Sequence, residues 1–198
     1  MRKTGLFGGS FNPVHKGHIN LALSVKNSLG LDRVIFIPSG EAPHKSSDEY
    51  AEASDRYEMC CMAVSQYPYF EVSDFEINKE GKSYSIYTVM HFRQLYPDDE
   101  LYLMVGSDML LYFDKWFEYK EILKNVTLAA VSRNGTDFDE LGKCAEKLRE
   151  YGEIVVVNND AFPVSSTQLR KMIKNNEDTS CYLDEKVVKY IILKKMYL

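Results

Sequence analysis

The chain contains no apolar run longer than a strand, a single tryptophan and no excess of basic residues. Its longest apolar stretches, such as Val34–Ile37 and Leu101–Val105, fall far short of a membrane-spanning helix. With 24 Lys and Arg against 29 Asp and Glu, the formal charge is −5, which gives no electrostatic footprint for nucleic-acid binding. The four cysteines show no C-x-x-C spacing, and Cys60 and Cys61 are adjacent, so neither a zinc site nor a disulfide framework is expected. Reduced, mostly buried thiols in a cytoplasmic protein are expected instead. Arg2 and Lys3 precede an apolar run that breaks at once into glycines, so no secretory leader is read. The full P-loop pattern, G-x-x-x-x-G-K-[S/T], is not matched either. With no repeat, linker or low-complexity segment, residues 1–198 are expected to form one domain.

Strand-like and helix-like segments alternate along the whole chain. Short β-branched or apolar runs, "DRVIFIPSG", "YFEVSDFEI", "ELYLMVGSD", "NVTLAAVSR" and "EIVVVNND", follow an opening strand at Lys3–Phe7. Between them lie helix-periodic segments, and two further helices are expected to start near Ser165 and Asp184. The polar stretch Gly40–Ala51 reads as a loop, and Thr136 as the cap of a helix that ends before Gly152. This alternation predicts an α/β fold, a Rossmann-like doubly wound parallel sheet with helices on both faces. Ligands of such sheets bind outside the carboxyl ends of the strands. The unusual residues fall there: Gly8–His18, Pro38–Lys45 and Gly106–Asp108.

Two of the four histidines, His15 and His18, stand one helical turn apart in "GGSFNPVHKGH", a strand-to-helix turn. Glycine lets a ligand approach bare backbone, and N–H groups at a helix start suit an anion. Both imidazoles can donate to the same anion, and Gly17 removes a side chain between them. A phosphate is the expected ligand. Late in the chain "VSSTQLR" offers Ser165, Ser166 and Thr167 at a helix start, with Arg170 a turn further on. Alone, that pattern is an ordinary capped helix; beside the first motif it is a phosphate clamp.

Together these motifs resemble the signatures of the nucleotidylyltransferase superfamily. Between them, "IPSGEAPHK", "GKSYSIYTV", "LMVGSDMLLYFDKW", "VSRNG" and "VVKYIILKKMYL" are similar to segments of bacterial nicotinate-nucleotide adenylyltransferases, so the resemblance spans nearly the whole chain. Ser10, Tyr87 and Asn134 depart from that family's usual threonine, acid and proline.

The resemblance implies transfer of AMP from ATP to nicotinate mononucleotide, with Mg²⁺ carried on the ATP phosphates and no metal held by the protein. It assigns His15, His18 and Arg170 as catalytic. ATP would be bound by Gly8, Gly9, Ser10, Phe11, Gly106, Asp108, Ser165, Ser166 and Thr167 together with them. His44, Lys45, Thr88, Trp116 and Arg133 would bind the mononucleotide. From the residues alone, His44 and Lys45 also fit an exposed basic turn, Asp108 a helix cap, and Trp116 a core position. Tyr112, Phe113, Phe117 and Tyr119 are expected in the core. The expected partners are therefore small molecules, with no nucleic acid and no membrane, and the sequence does not define an oligomeric state. The alternatives are a sibling adenylyltransferase acting on nicotinamide mononucleotide or phosphopantetheine, and an inactive nucleotide-sensing module; an RNA-binding relative lacks a basic surface run.

Overall fold

A computed structural model describes residues 1–40, 50–132, 138–159 and 162–198. The strands are β1 (Lys3–Gly9), β2 (Arg33–Pro38), β3 (Phe70–Val72), β4 (Glu100–Gly106), β5 (Thr127–Ser132) and β6 (Ile154–Asn158). The helices are α1 (Lys16–Leu29), α2 (Ala53–Val64), α3 (Ser85–Leu95), α4 (Ser107–Leu111), α5 (Tyr119–Asn125), α6 (Phe138–Leu148), α7 (Ser166–Lys174) and α8 (Glu185–Lys194). The six strands form one parallel sheet in the order β3-β2-β1-β4-β5-β6, the doubly wound order expected from the alternation. Strand order reverses between β1 and β4, where Leu6 sits in register with Leu103. β2 is buried along its entire length, as an interior strand of a parallel sheet must be.

The chain divides into two compact units. The first comprises 1–8, 21–35 and 84–161, and its core is built from β1, β4, β5 and β6 with Leu103, Leu128, Ala129, Ala130 and Leu141 buried. Its most polar buried group is Arg33, only 6% exposed. The guanidinium donates to Thr4 Oγ1 (2.9 Å) and Asp99 Oδ2 (3.0 Å), and its Cζ lies 3.8 Å from the centre of the Tyr96 ring. Removing one partner of a buried pair leaves the other charge uncompensated, at a cost of ~3–5 kcal/mol. Arg33→Met is therefore expected to lower the melting temperature by roughly 6–12 °C for a loss of ~3 kcal/mol. Thermal unfolding checks this, and a drop below about 2 °C contradicts it.

The second unit comprises 9–20, 36–83 and 162–198. In it α2 packs on α8 and β3, burying Met59, Cys60, Ala63 and Val64. Both late helices start where the sequence signals a cap. Ser165 and Gln168 form a reciprocal capping box at α7, and the Asp184 carboxylate accepts the Lys186 N–H (2.8 Å) at α8.

Two expectations need correction. The third strand shrinks to three residues, because Phe75–Glu80 turn instead of extending. The aromatic segment, to which the sequence assigns no element, is divided into α4, a 3₁₀ turn at Phe113–Lys115 and α5, with Glu118 in the left-handed region (φ 54°). All four thiols are free, but only Cys60 is buried; Cys181 is exposed. Thr136 lies outside the described residues. Among the described residues, no helix is long and apolar enough to cross a membrane.

Candidate functional site

In the second unit β1 runs out at Gly9 and the chain turns through Ser10–His15 before α1 begins at Lys16. Phe11 takes the left-handed conformation (φ 45°), uncommon for a bulky residue, and is held there by complete burial of its ring. The ring lies 5.6 Å from Phe36 and meets His18 edge-on at 5.0 Å. A Cβ on Gly9 would stand 3.0 Å from the Phe11 ring, so glycine is what lets Phe11 fold under the turn.

His15 and His18 are brought together as the spacing predicted. Their ring centres are 3.7 Å apart with planes tilted by 31°, and His15 is 7% exposed. The His15 N–H donates to His18 Nδ1 (3.2 Å). A nitrogen that accepts carries no proton, so the His18 ring proton is on Nε2, where it serves as a donor. Gly17 has a further task beside the one inferred. A Cβ there would lie 2.9 Å from His15 Nδ1, so the missing side chain makes room for the imidazole itself.

The expectation that N–H groups opening α1 are available to an anion is corrected as well. The Lys16 N–H donates to the Tyr182 carbonyl (2.8 Å), and those of His18 and Ile19 reach the His15 carbonyl. Three of the N–H groups that open α1 are thus committed within the protein.

The late motif meets the early one on a single peptide segment. Arg170 Nη1 donates to the Asn12 carbonyl (3.1 Å), and the Ser166 hydroxyl to the Pro13 carbonyl (3.0 Å). The Ser165 hydroxyl is engaged with Gln168, accepting its N–H (3.2 Å) and donating to Oε1 (3.0 Å). Two of the three expected hydroxyl donors thus hold the turn and the cap, while Thr167 stays exposed. A cavity of about 450 Å³ opens beside Thr167 and Arg170, with Tyr50, Lys171, Lys174 and Tyr197 in its wall.

Sequence reasoning missed what Asn12 does. Its side-chain oxygen accepts from the Ala51 N–H (3.1 Å) and the Tyr197 hydroxyl (2.7 Å), and it is 1% exposed. Burial raises the Tyr197 pKa, with Arg170 and Arg56 opposing, so the phenol stays a protonated donor. A tyrosine next to the chain's last residue carries no sequence signal of this contact. Arg56, by contrast, could have been noticed. It occupies the apolar stripe of α2 with Met59, Cys60 and Ala63, where a charge is out of place.

The remaining predicted residues of the described chain belong to the first unit. Gly106 ends β4, and it, not Asp108, is the N-cap of α4; Asp108 is exposed in the first turn. Gly8 is exposed, with open space where a side chain would be. Thr88 is buried at 3% exposure on α3, whereas neighbouring Tyr87 is 44% exposed. Trp116 is half-buried and packs at 4.9 Å on fully buried Phe113. Tyr112 and Phe117, expected in the core, are 65% and 49% exposed, and Phe117 lies 5.0 Å from the Tyr84 ring. His44, Lys45 and Arg133 lie outside the described residues. Among the described residues no group of three or more His, Cys, Asp or Glu is placed to hold a metal ion.

Comparison with known proteins gives one family. A family model described as cytidylyltransferase-like matches residues 6–172. The chain is 37% identical over 199 residues to the probable nicotinate-nucleotide adenylyltransferase of Clostridium tetani, covering 98% of both chains. It is also 37% identical to the protein of that name from Caldicellulosiruptor saccharolyticus, again over 98% of both. Among solved structures, Plasmodium falciparum nicotinic acid mononucleotide adenylyltransferase, complexed with APC or with NaAD, superposes with a TM-score of 0.79 in each case. Those alignments cover 100% of this chain and 98% of the other, at 17% and 18% identity, and so speak to the fold. The chain belongs to the cytidylyltransferase-like family, in its nicotinate-nucleotide adenylyltransferase branch.

Proposed function

We propose that this chain transfers the adenylyl group of ATP to the phosphate of nicotinate mononucleotide, giving nicotinate adenine dinucleotide and pyrophosphate. The observation that carries the reading is the bond from Arg170 to the Asn12 carbonyl. It sets the second motif on the turn that holds His15 and His18, about 150 residues away in sequence. The relatives of Clostridium and Caldicellulosiruptor support the same reaction through their names. Residues 1–198 act as one nucleotidylyltransferase domain, a reading supported by a family match that runs through both compact units. Four free thiols are consistent with a cytoplasmic enzyme.

A phosphate monoester has a second pKa near ~6, so the attacking phosphate is mostly dianionic at neutral pH and needs no strong base. The new bond forms between one of its oxygens and the α-phosphorus. The bond from that phosphorus to the α,β-bridging oxygen breaks, and its electron pair leaves with pyrophosphate. The protein's work is alignment and relief of crowded negative charge. His18 Nε2–H and His15 meet the α- and β-phosphates; Arg170, Thr167 and the N–H groups at the start of α7 ahead of Gln168 hold the leaving pyrophosphate. Gly8, Gly9, Ser10 and Phe11 supply the backbone approach to ATP, and Gly106 and Asp108 its nucleoside. Ser165 and Ser166 support the clamp through the cap and the Pro13 carbonyl. This donor-rich turn suits phosphate oxygens, and a Mg²⁺ ion riding on the ATP phosphates supplies further charge neutralisation.

His44, Lys45 and Arg133 are assigned to the mononucleotide by the family resemblance. Thr88 keeps its assignment as a residue behind the surface, given its burial. Trp116 is assigned to the pyridinium ring. Indole is the best cation–π platform, worth ~0.5–2 kcal/mol. Trp116→Phe is therefore expected to raise KM for nicotinate mononucleotide about threefold or more while ATP affinity barely changes. Because the chain has one tryptophan, its fluorescence is a direct check: the mononucleotide should quench it and ATP alone should do so weakly. Unchanged fluorescence withdraws Trp116 from the site.

Turnover of nicotinate and nicotinamide mononucleotides, measured side by side with ATP and Mg²⁺, tests the substrate. Preference for the acid supports the reading. Equal or faster use of the amide, or of phosphopantetheine, moves the chain to a sibling activity, and no turnover at all points to a sensing module.

A further inference from the structure

We propose that Arg56, a residue outside both motifs, is a positioning residue that fixes the phosphate-binding turn and the two flanks of segment 41–49 through one guanidinium. The inference rests on the adenylyltransferase reading for its effect on rate, and on geometry alone for its effect on the backbone. Arg56 is 2% exposed. Its Nη1 donates to the Ser10 carbonyl (2.8 Å), its Nε to the Ala51 carbonyl (3.1 Å) and its Nη2 to the Gly40 carbonyl (3.3 Å). No carboxylate forms an ion pair with it among the described residues. A buried cation of this kind is costly unless its donors are satisfied, and here three of its five N–H donors are met by carbonyl dipoles. Only the planar fork of arginine has donors pointing in enough fixed directions to do so; lysine offers a single point charge.

Two of the three anchor points are held a second time. The Gly40 N–H donates to Ser83 Oγ (3.1 Å), and a Cβ at Gly40 would collide with the Glu76 carbonyl. The Ala51 N–H donates to the side chain of Asn12. Ser10 begins the turn. In a trans peptide the C=O and the following N–H point in opposite directions. Drawing the Ser10 carbonyl onto Arg56 therefore sets the Phe11 N–H on the far side of the same peptide plane, away from the guanidinium. One side chain thus determines where a backbone donor of the turn points. It also fixes where the chain that bears His44 and Lys45 departs and returns.

Arg56→Lys keeps the charge and most of the stem but cannot reach three carbonyls. The expected result is a melting temperature within about 5 °C of the parent protein, with kcat lowered ~10-fold or more through misplacement of the reacting groups. Amide exchange at Gly40 and Ala51 should quicken at least ~10-fold while the α2 amides of Met59 and Cys60 stay unchanged. The exchange readout stands whether or not the parent protein makes nicotinate adenine dinucleotide, so failure of the functional reading and failure of this inference are separable. Unchanged exchange at Gly40 and Ala51, or a kcat within about threefold of the parent, overturns the proposal. Should Arg56→Lys not fold, the parent protein carries the test through the NMR signal of the Arg56 Nε–H. That proton is expected to exchange slowly and to shift when ATP–Mg²⁺ is added; rapid exchange, or indifference to ATP, overturns it.

Discussion

His18→Ala is expected to lower kcat by ~10²–10³ while leaving KM for ATP nearly unchanged, the signature of a donor that matters more to the transition state than to the bound substrate. The reason lies in the hydrogen bond from the His15 N–H to His18 Nδ1, which leaves the ring proton on Nε2. A sharper form of the test is His18→Gln. Its amide nitrogen reaches roughly where Nε2 stood, so activity should fall between parent and alanine variant. An alanine variant that turns over within about fivefold of the parent contradicts the role. The substitution should cost little stability, because His18 is half-buried and the turn is also held by Asn12, Ser166 and Phe11.

Arg170→Met should cost about as much, ~10² in kcat/KM, for a different reason. The guanidinium anchors to the Asn12 carbonyl through Nη1, and its planar fork is suited to two oxygens of one phosphate group. Arg170→Lys restores the charge without the fork and should recover only part of the loss. Product inhibition separates this role from a purely structural one. If Arg170 holds the leaving group, both variants should bind pyrophosphate at least ~10-fold more weakly than the parent. Equal inhibition by pyrophosphate in parent and Met variant removes Arg170 from the leaving-group site.

How much of this was legible in the sequence depends on the range of the interaction. The sheet was legible because alternating buried runs and capped helices are local signals; Ser165 and Asp184 announced the starts of α7 and α8 by their own chemistry. The pairing of His15 with His18 was legible because helical spacing sets it. The clearance that Gly17 gives the His15 ring was not, since it depends on which way that ring turns. Nor was the splitting of the aromatic segment, where Glu118 adopts a left-handed conformation that no nearby glycine advertises. Asn12 looked like a turn residue and proved to be a hub for Ala51, Arg170 and Tyr197, contacts that join segments distant in sequence. The two serines after Val164 looked like phosphate donors, yet their hydroxyls serve the cap and the Pro13 carbonyl. Motif matching finds residue types at a site and does not say which of their atoms are already committed.

The most direct test of the central claim is the exchange of labelled pyrophosphate into ATP by the purified protein with Mg²⁺, run with and without nicotinate mononucleotide. Direct attack of the mononucleotide phosphate on ATP, aligned by His15, His18 and Arg170, predicts exchange only when the mononucleotide is present, accompanied by nicotinate adenine dinucleotide and pyrophosphate in equal amounts. Exchange in the absence of the mononucleotide, or ATP consumed to ADP and inorganic phosphate without dinucleotide, would contradict it.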